Sequence, residues 1–298
     1  KKVIRSIATM IALGGLSILS GCQGLKLLNP AGYIAHEERF MLIICVAVML
    51  CVVIPVMIAV VWFAFKYRAG NKSSEYLPDW GKSHKVETFM WGIPVVVIIV
   101  LASLTGYYTF KLEPSQVLPR SVVGQTTPLQ VDVVALDWKW LFIYPEYGVA
   151  SVNELYAPKG RQVFLQISAE NSINAFWVPR LGTILYAMPQ MNAKLHLIAD
   201  RLGNFEGLSA NFSGDGFSGM HFKWHSVTEE GFRDWIKAIK AAHTPKLDRA
   251  GYLKLAQHPS EEAPVAEKVA DQRIRYYSDV DPELYYRIVN ACVVSDRE

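Results

Sequence analysis

The sequence predicts a two-helix transmembrane hairpin followed by an all-β sandwich and short C-terminal helices. Two long stretches, Phe40–Phe65 and Thr88–Phe110, contain no charged residue, and each can cross a hydrocarbon core of about 30 Å. Between Pro128 and Ala210 the pattern changes to short apolar–polar alternations broken by glycines, as in a sandwich of short strands. Beyond Val227, apolar residues recur at helical spacing. Composition agrees. With 51% hydrophobic and 19% charged residues, the chain fits a membrane anchor plus a water-facing domain better than a soluble protein or a polytopic transporter. The net charge is only +3 and no basic run is interleaved with aromatics, so no nucleic-acid partner is implied.

The N-terminus begins with Lys1, Lys2 and Arg5, followed by the apolar run Ile7–Leu19, which is too short to span. Leu19-Ser20-Gly21-Cys22 then resembles a bacterial lipobox, in which the cysteine thiol is acylated before cleavage. This makes 1–21 a lipoprotein signal peptide, Cys22 the lipidation site and 22–39 an external segment. An ordinary signal peptide with a chance cysteine is the alternative. The other cysteines are Cys45, Cys51 and Cys292; no C-x-x-C pair exists, so neither a disulfide framework nor a zinc site is indicated.

The hairpin covers 40–110. Pro55 bends the first span, which neighbouring helices can tolerate; Pro94 stands near the start of the second, and Tyr107 and Tyr108 fall where an interfacial aromatic belt belongs. The connecting loop, 66–87, carries Lys66, Arg68, Lys72, Lys82 and Lys85 against Glu75 and Asp79, which places it in the cytoplasm. Everything after Phe110 is then external, in agreement with the lipobox. Glu87 stands at the cytoplasmic edge of the second span. A carboxylate there can gather protons, or it can simply favour the positive end of the helix dipole.

The external domain, 111–227, is read as strands at Leu129–Leu136, Gln162–Ser168 and Lys194–Ile198, each half-buried, plus the aromatic strand Trp138–Phe142. Gly182, Gly203, Gly207, Gly214, Gly216 and Gly219 are read as turns. A C-terminal helical arm, 228–298, begins with Thr228 capping Glu229–Ala242, which aligns Phe232, Trp235, Ile236 and Ile239 on one face. Pro259–Ala266 reads as a linker. Asp281-Pro282-Glu283 reads as a helix start with a stripe of Leu284, Tyr285, Ile288, Val289 and Cys292 behind it, a packing face rather than a cofactor site.

Several motifs together resemble subunit II of the bacterial haem–copper terminal oxidases, in particular the ubiquinol-oxidising branch. They are H-K-V-E-T-F-M-W-G-I-P (His84–Pro94), L-D-W-K-W-L-F (Leu136–Phe142), N-A-F-W-V-P-R-L-G (Asn174–Gly182), F-S-G-D-G-F-S-G-M-H-F-K (Phe212–Lys223) and the segment after Tyr276. The resemblance covers nearly the whole chain and implies a cupredoxin-like sandwich. Copper-bearing members of the family hold a binuclear copper centre with two cysteines, two histidines, a methionine and a backbone carbonyl. Carried onto this sequence, the first histidine position falls on Asn174 and the cysteine positions on Phe212 and Gly216. The carbonyl donor falls on Gly214, and the loop histidine and methionine positions fall on Met220 and Lys223. No thiolate is left to bridge two coppers.

The resemblance therefore implies a sandwich without copper, with no metal and no catalytic residue in this chain. Haems and copper are expected in the partner, oxidase subunit I, among other membrane subunits. Electrons would come from a quinol, and the complex would reduce oxygen to water and pump protons at the bacterial inner membrane, with this domain periplasmic. The chain would act as a scaffold, with Ser103, Thr105 and Gly106 allowing close helix approach and Glu87 near the mouth of a proton channel. Trp138 and Trp140 match aromatics near the electron entry of copper-bearing relatives and here would serve packing. Two alternatives stay open. One is a copper-bearing cytochrome c oxidase subunit using His221, His225, Met188, Met191 and Met220, residues that otherwise read as surface histidines and core methionines. The other is a non-enzymatic lipoprotein that aids assembly.

Overall fold

The computed structural model describes residues 26–68, 70–71, 81–124, 126–242, 244–257 and 273–290. The signal-peptide reading with Cys22, residues 72–80 of the loop, the Pro259–Ala266 linker and Cys292 lie outside the described residues. The chain forms two compact units: Glu37–Glu113, and a second that joins the residues up to His36 with those from Pro114 onward.

The first unit is the hairpin. Helix α1 runs Tyr33–Lys66 and α2 runs His84–Lys111. Both begin earlier than the uncharged stretches, because Glu37, Glu38 and Arg39, like Lys85 and Glu87, are compatible with helix and extend it into water. At 34 and 28 residues, they measure about 50 and 40 Å, longer than a hydrocarbon core. Most of their apolar side chains from Phe40 to Phe65 and from Phe89 to Phe110 are exposed or half-exposed, while Tyr108 is buried. Two ends carry an anchor: Lys66 Nζ lies 4.6 Å from the centre of the Trp62 ring, and Lys111 Nζ lies 5.4 Å from that of Tyr108. Lys111 Nζ also meets Glu37 Oε2 at 2.8 Å, which joins the end of α2 to the start of α1.

The second unit is a sandwich. In chain order its strands are β1 (Leu129–Leu136), β2 (Lys139–Tyr144), β3 (Val149–Val152), β4 (Glu154–Pro158), β5 (Gln162–Ala169), β6 (Asn174–Trp177), β7 (Leu185–Ala187), β8 (Ala193–Ile198), β9 (Gly203–Ser209) and β10 (His221–Val227). The arm adds α3 (Glu229–Ala241), β11 (Lys246–Leu247), α4 (Arg249–Ala256), β12 (Arg275–Tyr277), β13 (Asp279–Val280) and α5 (Leu284–Val289). One sheet has the order β12-β3-β2-β1-β5-β8, the other β4-β10-β9-β6-β7. Trp140, Phe142, Phe176, Phe222 and Trp224 are buried between them.

The first sheet is also covered on its outer face. Val134, Leu136, Leu141 and Ile143 pack there against Tyr252, Leu255, Leu284, Tyr285 and Ile288 of the arm. This corrects the half-buried reading of β1, in which only Gln130 stays partly exposed, whereas Phe164 and Gln166 of β5 remain half-buried. The polar positions Asp132 of β1 and Gln162 of β5 are themselves buried. The predicted stripe on α5 does pack, as Leu284, Tyr285 and Ile288 are buried and Val289 rests against them.

Other boundaries shift for local reasons. Trp138 is not in a strand; it stands at φ 60° in the two-residue turn between β1 and β2. Gly207 is no turn either but lies inside β9, where a Cβ would come within 2.1 Å of the Phe222 ring on β10. Gly203 opens the same strand at φ 140°. Thr228 caps α3 as expected, its hydroxyl accepting from Gly231 N–H at 3.1 Å. α5 starts at Leu284 rather than at Pro282, because Leu284 N–H bonds Asp281 O across a tight turn at 3.0 Å. The Asp281 side chain still accepts from Glu283 N–H.

Candidate functional site

The loop joining β9 to β10 is organised by a residue from the opposite sheet. Trp138 reaches across from the β1–β2 turn and donates its indole N–H to Ser213 O at 3.0 Å. Its ring lies against Gly216, where an added Cβ would fall 2.1 Å from Trp138 Cδ2, and 3.5 Å from a Cβ at Gly214. Gly214 itself holds φ 104°, which suits glycine. The left-handed backbone of Trp138 is unfavourable for a bulky residue. The indole bond and the ring contact supply what holds it there, and Trp138 is buried.

The remaining positions are equally committed. Phe212 is 74% exposed, edge-on to Phe217 with ring centres 5.6 Å apart. Met220 is in the core, and Lys223 lies on the exposed face of β10, opposite Glu206 of β9. Asn174 is buried on β6: its amide donates to Ser172 O and Oγ at 3.2 and 3.3 Å, and its oxygen accepts from Ser209 Oγ at 3.1 Å. Asn211 Nδ2 adds a bond to Ile173 O at 2.8 Å. The loop is therefore closed by amides and an indole. This donor set does not fit a binuclear copper centre, which needs bridging thiolates and imidazoles.

The five-residue alternative is not brought together by shared partners. His221 Nε2 lies 2.9 Å from Ser218 O, while His225 Nδ1 faces Asn204 Oδ1 at 2.8 Å and its Nε2 faces Glu154 Oε1 at 3.2 Å. Met191 is exposed and Met220 is in the core. Among the described residues no group of three or more His, Cys, Asp or Glu side chains is placed to hold a metal ion. Trp140 is fully buried, its ring centre 5.3 Å from Phe176 and 5.8 Å from Phe222.

Sequence reasoning missed a polar–aromatic knot that ties the arm to the sandwich. Glu154, buried on β4, accepts from the Tyr276 hydroxyl of β12 and faces His225 of β10. Tyr156 is stacked between His225 and Trp235, with ring centres 4.3 and 4.4 Å away. Burial first, and then the bond to Glu154, push the Tyr276 phenol well above its usual pKa. No local motif signals this knot, because its members come from four separate elements. On α2, Glu87 lies in the first turn, its carboxylate half-exposed and 3.6 Å from His84 Nδ1.

Comparison with known proteins follows this geometry. Residues 241–295, which include α4, β12 and α5, match a family model described as COX Aromatic Rich Motif. Cytochrome bo(3) ubiquinol oxidase subunit 2 of Pseudomonas putida is 44% identical over 93% of this chain and 83% of its own length. The chain belongs to the ubiquinol oxidase subunit 2 family. The protein of that name from Pseudomonas aeruginosa is 42% identical over 94% of this chain and 80% of its own. Among solved structures, the periplasmic domain of subunit II of cytochrome oxidase from Bradyrhizobium japonicum aligns at 22% identity, covering 39% of this chain and 96% of that one, with a TM-score of 0.37. Within the ubiquinol oxidase subunit 2 family, this chain pairs a two-helix membrane anchor with an arm-covered sandwich.

Proposed function

We propose that this chain is the copper-free second subunit of a proton-pumping terminal oxidase that takes electrons from ubiquinol and reduces oxygen to water. Relatives named ubiquinol oxidase subunit 2 support the donor and the reaction. The contact of the Trp138 ring with Gly216 carries the copper-free reading, because the position that would need a bridging thiolate has no room for a Cβ. Without copper the sandwich has no route for electrons from cytochrome c. The haems and copper then belong to a large partner subunit, beside which this chain acts as an external scaffold. In this proposal Cys22 is acylated, the sandwich is periplasmic and the 66–87 loop is cytoplasmic, with Glu87 collecting protons from that side.

Oxygen uptake by the affinity-purified complex tests the proposal. Uptake is expected with ubiquinol and not with reduced cytochrome c. Uptake with cytochrome c would reveal an electron entry in this domain and overturn the copper-free reading. Uptake with neither, in a preparation lacking haem, would favour an assembly lipoprotein instead.

A further inference from the structure

Where the chain passes from α2 into β1, an open groove of about 650 Å³ runs along residues 117–124 and 126–128 and reaches the first residue of β5. Its walls are mostly apolar. Leu118 and Val123 lean on the core, whereas Val117 is 68% exposed. Four polar side chains interrupt these walls, Arg120, Thr126, Thr127 and Gln162; Thr126 donates to Val123 O at 3.0 Å, whereas Arg120 and Gln162 each keep a polar end without a partner among the described residues. Arg120 begins a single helical turn, Arg120–Val123, and its guanidinium makes no hydrogen bond or ion pair among the described residues. Gln162 is only 1% exposed; its amide nitrogen faces His196 Nδ1, and its Oε1 has no partner. Turning the amide over exchanges the two ends but still leaves one unpaired. His196 cannot relieve this by ionising, since burial holds its pKa down.

A buried amide end that lacks a partner, beside an unpaired guanidinium and an apolar wall, suits an amphiphile with a phosphate and a hydrogen-bonding head. Chain connectivity puts such molecules within reach. Val117 lies six residues beyond Lys111, the last residue of α2, so at most about 20 Å of chain separates them. That end of α2 carries Tyr107, Tyr108 and Lys111, the residue types that mark a membrane interface. We propose that the groove binds the head-group end of an anionic phospholipid from the adjacent leaflet. Arg120 holds the phosphate, the free end of the Gln162 amide bonds the head group, and Val117, Leu118 and Val123 contact the glycerol and upper acyl carbons. The bound lipid fastens the linker between hairpin and sandwich. This rests on the membrane hairpin alone and not on the redox reading.

The test uses the full chain in nanodiscs containing phosphatidylglycerol with a photoactivatable group near its head, and peptide mapping of the crosslinks. Labelling of the 114–128 peptide is expected, beyond that of α1 and α2. Arg120→Ala should lower it about tenfold, the loss of one charge-assisted hydrogen bond, and leave helix labelling unchanged. Gln162→Leu should lower it too; if that buried variant fails to fold, the exposed Arg120 position still decides. No label in this peptide, or equal label in Arg120→Ala, would overturn the proposal. So would a benzophenone side chain at Val117 that, in the assembled complex, captures a partner subunit instead of lipid.

Discussion

Trp138 holds an unfavourable backbone conformation because its indole has a bond and a surface to meet, and Gly216 supplies the surface by having no side chain. The two residues are one device: each is strained or permissive only because of the other. Gly216 sits at φ −87°, where alanine is comfortable, so Gly216→Ala tests the contact and not the backbone. Overpacking of this kind costs about 1–3 kcal/mol. The same substitution in a Trp138→Ala background should cost almost nothing, since the obstructing ring is gone. Thermal unfolding of the four proteins of this cycle measures the coupling. Additive losses would mean that the ring moves aside freely and that Gly216 is glycine for another reason. The device was only partly legible beforehand. The glycines at 214 and 216 and the tryptophan at 138 stood out, but nothing local linked a turn of one sheet to a loop of the other.

At the scale of elements, the arm turns β1 from a half-buried strand into a buried one. The hairpin was legible because an uncharged run long enough to span needs no tertiary partner to be recognised. The strands Leu129–Leu136 and Lys194–Ile198 were legible from alternation, and α3 from its cap and stripe. The covering of β1 by α4 and α5 was not, because it depends on contacts more than a hundred residues apart (Leu136 with Leu284, for example, in one cluster). Asp132 records the consequence. It looked like the solvent face of a strand, yet it is buried, accepting from Gln130 Nε2 at 3.1 Å and Gln166 Nε2 at 3.3 Å. Burial, only partly offset by these bonds, raises its pKa from 3.8 to about 6. A carboxyl with a raised folded-state pKa binds its proton more tightly when folded. Its contribution is therefore fully present below about pH 4 and is lost as pH rises through about 6. The full difference is at most about 3 kcal/mol. Asp132→Asn should remove this part of the pH dependence, matching the wild type near pH 4 and exceeding it at pH 8. Unfolding midpoints across that range check it; parallel curves for the two proteins would show that Asp132 is not held neutral by the arm.

For the whole molecule, the side chain proposed to handle protons, Glu87, belongs to the hairpin and not to the sandwich. The sandwich spends its polar side chains on closing its own loops and fastening the arm. Glu87 is different: it sits in the first turn of a membrane helix, half-exposed, with His84 as its near neighbour and no bond that structure alone would demand. Under the proposed role a carboxylate here would relay protons by exchanging them, a property that glutamine lacks while keeping the shape. In the oxidase proposed above, Glu87→Gln should slow ubiquinol-driven oxygen uptake by roughly tenfold, less than the ~100-fold or more expected of a group that transfers the proton in the reacting step. Haem content and subunit stoichiometry should match the wild type, because the substitution leaves the helix start and its neighbour in place. The loss should deepen as pH rises and protons become scarce, a trend that a defect in assembly would not produce. Normal turnover at every pH, in a complex with full haem content, would leave Glu87 as an ordinary helix-start acid.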